Sequence, residues 1–243
     1  MRLFWVLVAL CALGLAASAP FLLQALSALP LPPGVSVGTV FAAQAAQTLV
    51  LSALAAFTGT RLAARAGLDA PWLRAWAGRS PLPPGFARVA IEGAALGSLA
   101  AVALAGILLP IRPSLPAALS RAPQAGFCTA ATSAFYGGIV EEVITRWGLL
   151  SAAIALARKL GARDGFWAAN PVAAGAFGLL HLPVLAAVAG PLTGALVAYA
   201  LLANGVPGLL FGWLCRRNGL ESAMIAHAAA DVWLHAALPA LLA

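Results

Sequence analysis

Charge is what this sequence lacks. Only 9% of its 243 residues are Asp, Glu, Lys or Arg, whereas a soluble domain carries about 25% to coat itself for water. A soluble globular fold is thereby excluded, and lipid must cover the surface. Intrinsic disorder is excluded too, because a hydrophobic content of 63% is the opposite of what keeps a chain unfolded. Cysteine is scarce: Cys11, Cys128 and Cys215 lie far apart without CxxC spacing, which speaks against a disulfide framework and a zinc ribbon. The 24 glycines follow no three-residue period, so the chain is not collagen-like. Acidic residues number 7 against 14 Lys plus Arg, but the basic residues cluster between apolar runs rather than along one face. They read as topology signals, and no nucleic-acid partner is expected.

What the sequence has is long apolar runs. A membrane helix needs roughly 20 such residues, and seven stretches qualify, near 3–29, 37–59, 89–109, 125–157, 166–187, 191–214 and 220–241. The expected fold is all-α, a polytopic transmembrane helical bundle of about seven spans. It forms a single integral membrane domain over residues 1–243, multi-pass in the inner (cytoplasmic) membrane of the cell, with the lipid bilayer as its solvent. The fourth stretch is too long for one straight span. It either tilts and protrudes, or breaks near Gly137-Gly138 or Gly148.

Short cytoplasmic loops collect Lys and Arg, which gives the orientation. With the N terminus inside, the inner side receives Arg2, Arg61, Arg65, Arg74, Arg79, Arg88, Arg158, Lys159, Arg163, Arg216 and Arg217. The outer side receives Arg112 and Arg121, and Arg146 falls within a span. N-inside is the expectation. Arg2, the apolar run after it and Ala17-Ser18-Ala19 also fit a cleaved signal peptide; apolar sequence continuing through Phe21, Leu22, Leu23 and Leu26 favours an uncleaved anchor. In the loop near 60–88, Trp72 and Trp76 are expected at the lipid headgroups beside the arginines.

The informative residues are the ionisable ones inside spans, since each is costly there unless it is paired or lines a cavity. They are Glu141, Glu142 and Arg146 in span four, His181 in span five, and His227, Asp231 and His235 in span seven. Spacing four puts Glu142 and Arg146 on one helical face, where they neutralise each other. Glu141 points about 100° away and is left for another neighbour, as a general base or metal ligand would be. A buried ion-pair network that fixes helix packing is the structural alternative. His227 and Asp231 also stand at spacing four, so that the carboxylate can hold the imidazole's tautomer. Glu92 is accounted for by Arg88 one turn earlier, and Asp164 and Glu221 by helix N-termini. His227 lies ten residues beyond Arg217, about 15 Å into the membrane, and His181 and Glu141 come to a similar depth. Two imidazoles and one or two carboxylates at one level suit zinc or a metal-free acid-base site.

These motifs, in this order, resemble the CAAX protease and bacteriocin-processing family of intramembrane endopeptidases. Glu141, Glu142 and Arg146 match its Glu-Glu-x-x-x-Arg motif, Phe177 and His181 its Phe-x-x-x-His motif, and His227 and Asp231 its His-x-x-x-Asn/Asp motif. The resemblance covers roughly 125–241, the expected catalytic core. It implies an intramembrane endopeptidase, a hydrolase that cleaves a peptide bond of a membrane-associated protein or peptide. Carried over, Glu141 activates the attacking water and His181 holds that water or a metal. His227 with Asp231 polarises the scissile carbonyl. Glu142 with Arg146 orients Glu141, and Arg146 attracts a substrate carboxylate. The family is divided on metal: Zn2+ held by Glu141, His181 and His227 is one version, a metal-free glutamate mechanism the other. Asp231 departs from the Asn of CAAX-processing members, and an ionised carboxylate cannot donate to an oxyanion, which weakens the transfer of prenyl specificity. The rival functions are a non-catalytic membrane scaffold or bacteriocin-immunity protein, and a proton-coupled carrier.

Overall fold

In the computed structural model, which describes residues 1–111, 116 and 126–242, every regular element is helical. The apolar runs predicted as spans supply them. Helix α1 (Arg2–Ala17) continues into α2 (Ala19–Ser27) after a 52° bend. Helix α3 (Val37–Ala66) starts where the Ser36 hydroxyl accepts the Thr39 N–H at 3.1 Å and ends at Gly67, whose φ of 77° suits a left-handed cap. A short α4 (Pro71–Gly78) precedes α5 (Phe86–Ile111). Then come α6, over residues 127–159, α7 (Phe166–Leu179) with α8 (Leu182–Ala189), α9 (Gly194–Asn218) and α10 (Leu220–Leu241).

Five helices are long and apolar enough to cross a membrane, and the bent α1–α2 pair makes a sixth. This is a multi-pass membrane protein. The long fourth run, α6, neither breaks at its glycines nor runs as one α-helix: residues Tyr136–Glu141 and Val143–Leu150 widen into π-helix. Such widening concentrates at functional sites. Arg112 and Arg121, the expected outer charges, lie outside the described residues.

The outer face is apolar, as lipid requires: Ile91, Leu99 and Val172 are 65–70% exposed. Between helices, small residues set the distance of approach. A Cβ on Gly97 would overlap the backbone of Ala226, so α5 and α10 touch backbone to backbone there. Helix α10 is thus held at the centre, against α5, α6 and α9. At the helix ends, Glu92 pairs with Arg217 of α9 at 3.3 Å rather than with Arg88 on its own helix. Asp164 likewise binds Arg216 at 2.9 Å, so a tertiary partner rather than the helix dipole claims it.

Candidate active site

The three motifs meet between α6, α7 and α10. Glu142 is fully buried, and its Oε1 accepts a hydrogen bond from His227 Nδ1 at 2.7 Å. The same oxygen is 3.1 Å from Arg146 Nη1, so the pair expected from spacing four exists. Arg146 donates further to the Thr145 hydroxyl and, through Nη2, to the Gly208 carbonyl at 3.1 Å. Its guanidinium lies over the rings of Phe177 and Phe211, at 4.7 and 5.5 Å from their centroids. With 3% of its side chain exposed, Arg146 cannot reach a substrate carboxylate. It is an internal anchor.

A second assignment changes with it. The tautomer of His227 is set by Glu142, not by Asp231, whose Oδ1 stands 3.7 Å from Nε2, beyond hydrogen-bond length. Glu142 and Arg146 therefore orient His227 rather than Glu141. Phe211 stacks on the same imidazole at 4.7 Å and 22°. Hydrogen bond, ring and helix together leave His227 one orientation.

Glu141, as its angular offset predicted, faces elsewhere. Its side chain is 21% exposed, with Oε1 3.9 Å from His181 Nε2 and Oε2 3.6 Å from His227 Nε2. His181 Nδ1 lies 2.9 Å from the Phe177 carbonyl. A carbonyl can only accept, so the proton is on Nδ1 and Nε2 of the neutral ring carries the lone pair. His227 follows the same rule, because Glu142 binds its Nδ1 proton. Both imidazoles thus turn Nε2 toward the carboxylate of Glu141. These groups face one another at separations longer than direct hydrogen bonds, an arrangement suited to acting on a third species.

Phe177, the aromatic member of the second motif, packs edge-on against both His181 and His227 at 5.0 and 5.7 Å. His235 extends the row, with Nε2 3.9 Å from Asp231 Oδ1 and its side chain 45% exposed. The chemistry of the donors Glu141, His181 and His227 suits zinc, but among the described residues no group of three His, Cys, Asp or Glu side chains is arranged to hold a metal ion.

Three contributors were hidden from the sequence. Gly137 is one: a Cβ there would overlap Asp231 Oδ2 and stand 2.9 Å from His227 Nε2, so only glycine lets α6 lie against the motif of α10. Thr145 is another. Its hydroxyl donates to the Glu141 carbonyl at 2.5 Å while accepting from Arg146, tying the π-helical backbone to the ion pair. Phe211 is the third, and no motif marks it.

No curated protein and no solved structure is similar enough to the chain to match it. A family model described as Rce1-like, type II CAAX prenyl endopeptidase, matches residues 123–233, a segment that includes all three motifs. Over that segment, a little under half of the chain, the sequence is similar to the CAAX protease and bacteriocin-processing family that the three motifs resemble, a family of membrane proteases.

Proposed function

We propose that this protein is an intramembrane endopeptidase that hydrolyses a peptide bond of a membrane-associated protein or peptide. The observation that carries the proposal is the placing of Glu141, partly exposed, between two imidazoles whose Nε2 atoms face it and whose Nδ1 atoms are occupied. Water positioned against Glu141 and His181 gives a proton to the Glu141 carboxylate as its oxygen bonds to the scissile carbonyl carbon. Glu141 then passes that proton to the departing amine nitrogen as the C–N bond breaks. His227, when protonated at Nε2, donates to the oxyanion. Glu142 and Arg146 act through His227 and are positioning residues. Asp231 stands beside Nε2 and shapes the same side of the site.

We further read residues 127–159 as a span in its own right, which gives seven with the N terminus inside and places the protein in the cell's cytoplasmic membrane. Zinc is a separate proposal. Glu141, His181 and His227 are the residues that would hold it, and it would supply Lewis acidity toward water and carbonyl. No step above passes through it. Zinc content of the purified protein, and activity after chelation and after zinc is restored, decide between the two versions.

The deciding experiment compares membrane-protein termini from cells carrying the wild type and Glu141→Gln at equal abundance. Peptide ends lost in the variant establish proteolysis and name the substrate. The burial of the Glu142–Arg146–His227 network favours one second reading, a scaffold that keeps the motifs for packing. Unchanged termini, with any phenotype still rescued by Glu141→Gln, would select it.

A further inference from the structure

Glu221 lies outside the site and is nonetheless buried, 6% exposed, in the first turn of α10. Its Oε1 accepts the backbone N–H of Leu73 at 2.8 Å, across 148 residues of chain. Leu73 is in the first turn of α4, where backbone donors have no partner within the helix. Ala70, at the N-cap position, has no side chain to supply one. The carboxylate from α10 therefore does for α4 what a capping residue of its own would do. Two more contacts fix the same joint. The Leu220 N–H donates to the Asp69 carbonyl at 2.9 Å. Pro71 lies against Gly219, where a Cβ would stand only 2.6 Å from the ring. His227 is six residues further along α10, about 9 Å away.

Around α4 the surface changes character. Trp76 is 62% exposed, Leu82 63% and Phe86 47%. Residues 60–88 carry five arginines and one aspartate, and that aspartate, Asp69, is already bound by Arg74 at 2.8 Å. Arg79 closes α4 with a φ of 56°. Exposed aromatic and aliphatic side chains among an excess of arginine complement an anionic headgroup layer.

We propose that α4 senses anionic lipid and that Glu221 transmits its seating to α10, which makes Glu221 a positioning residue for His227 and Asp231. The catalytic consequence rests on the endopeptidase reading; the coupling between α4 and α10 does not.

The test is hydrogen exchange on the full protein in vesicles of phosphatidylcholine alone and of phosphatidylcholine with phosphatidylglycerol. In the wild type, the anionic lipid is expected to slow exchange at least about threefold in residues 71–78 and 220–227 together. Glu221→Gln, which keeps an acceptor for the Leu73 N–H, should behave as the wild type. In Glu221→Ala the response should stay in 71–78 and vanish from 220–227. The exposed-site variant Trp76→Ala with Arg79→Gln should lose both responses, and it tests the proposal even where Glu221→Ala does not fold. Equal lipid responses of 220–227 in Glu221→Ala and wild type would overturn the proposal, as would a wild type blind to phosphatidylglycerol. Turnover in the same vesicles should rise in kcat with the anionic lipid, and in Glu221→Ala it should not. A protein without turnover in any lipid, but with coupled exchange, counts against the endopeptidase reading alone.

Discussion

Glu142 and His227 are 85 residues apart in the chain and 2.7 Å apart in space, carboxylate Oε1 to imidazole Nδ1. The same oxygen faces Arg146, so one buried atom serves both an ion pair within α6 and a hydrogen bond to α10. That atom makes Glu142 and Glu141 unequal despite their adjacency.

The inequality gives the first prediction. Glu142→Ala leaves the Arg146 guanidinium buried without its counter-charge, and breaking such a pair costs about 3–5 kcal/mol. The variant should unfold at markedly lower temperature in detergent and should lose activity with its fold. A melting temperature equal to the wild type's would show that Glu142 does not hold the helices.

Glu141→Gln should do the reverse. The side chain keeps its shape and makes no hydrogen bond that holds the bundle, so stability should stay within about 0.5 kcal/mol. Turnover should fall about 10²–10⁴-fold, the usual contribution of a general base. Thermal unfolding and substrate cleavage measured on one preparation separate the two glutamates.

Asp231→Asn is expected to be mild. Glu142 already fixes the His227 tautomer, and Asp231 is too distant to bond to Nε2, so its charge is not needed for orientation. The amide adds a donor on the oxyanion side. Cleavage within about tenfold of wild type is the expected result; a loss as deep as that of Glu141→Gln would assign the carboxylate itself a step in the reaction.

Gly137→Ala removes no polar group, yet its methyl would occupy the place of Asp231 Oδ2. Overpacking of this kind costs about 1–3 kcal/mol. The expected outcome is a protein that still reaches the membrane with strongly reduced activity, because the motif of α10 is pushed away from Glu141. Shortening the obstruction with Asp231→Ser in the same chain should restore part of the lost stability, which a melting curve of the double variant measures.

Several of these relationships were legible in the sequence. Ionisable residues are so rare in the apolar runs that Glu141, Glu142, Arg146, His181, His227 and Asp231 stood out unaided, and helical spacing paired Glu142 with Arg146. Contacts between helices were not legible. His227 has Asp231 four residues away and Glu142 85 away, and spacing sees only the first. Glu92 follows the same pattern: its near neighbour in the sequence is Arg88, and its partner in space is Arg217. Gly137 and Gly138 read as helix weakeners because the close approach of α10 is a tertiary fact. The π-helical widening of α6 likewise has no signature in hydropathy.

The Glu142–Arg146 pair also bears on how the chain is made. Helix α6 is synthesised about 60 residues before α10, and domains and segments emerge N-terminal first. During that interval His227 does not yet exist, and Glu142 can rely only on its own helix. Because its counter-ion lies one turn away on the same segment, α6 can enter the bilayer electrically balanced at that position. The hydrogen bond from His227 is added when α10 arrives, so assembly of the site is ordered in time by the direction of translation.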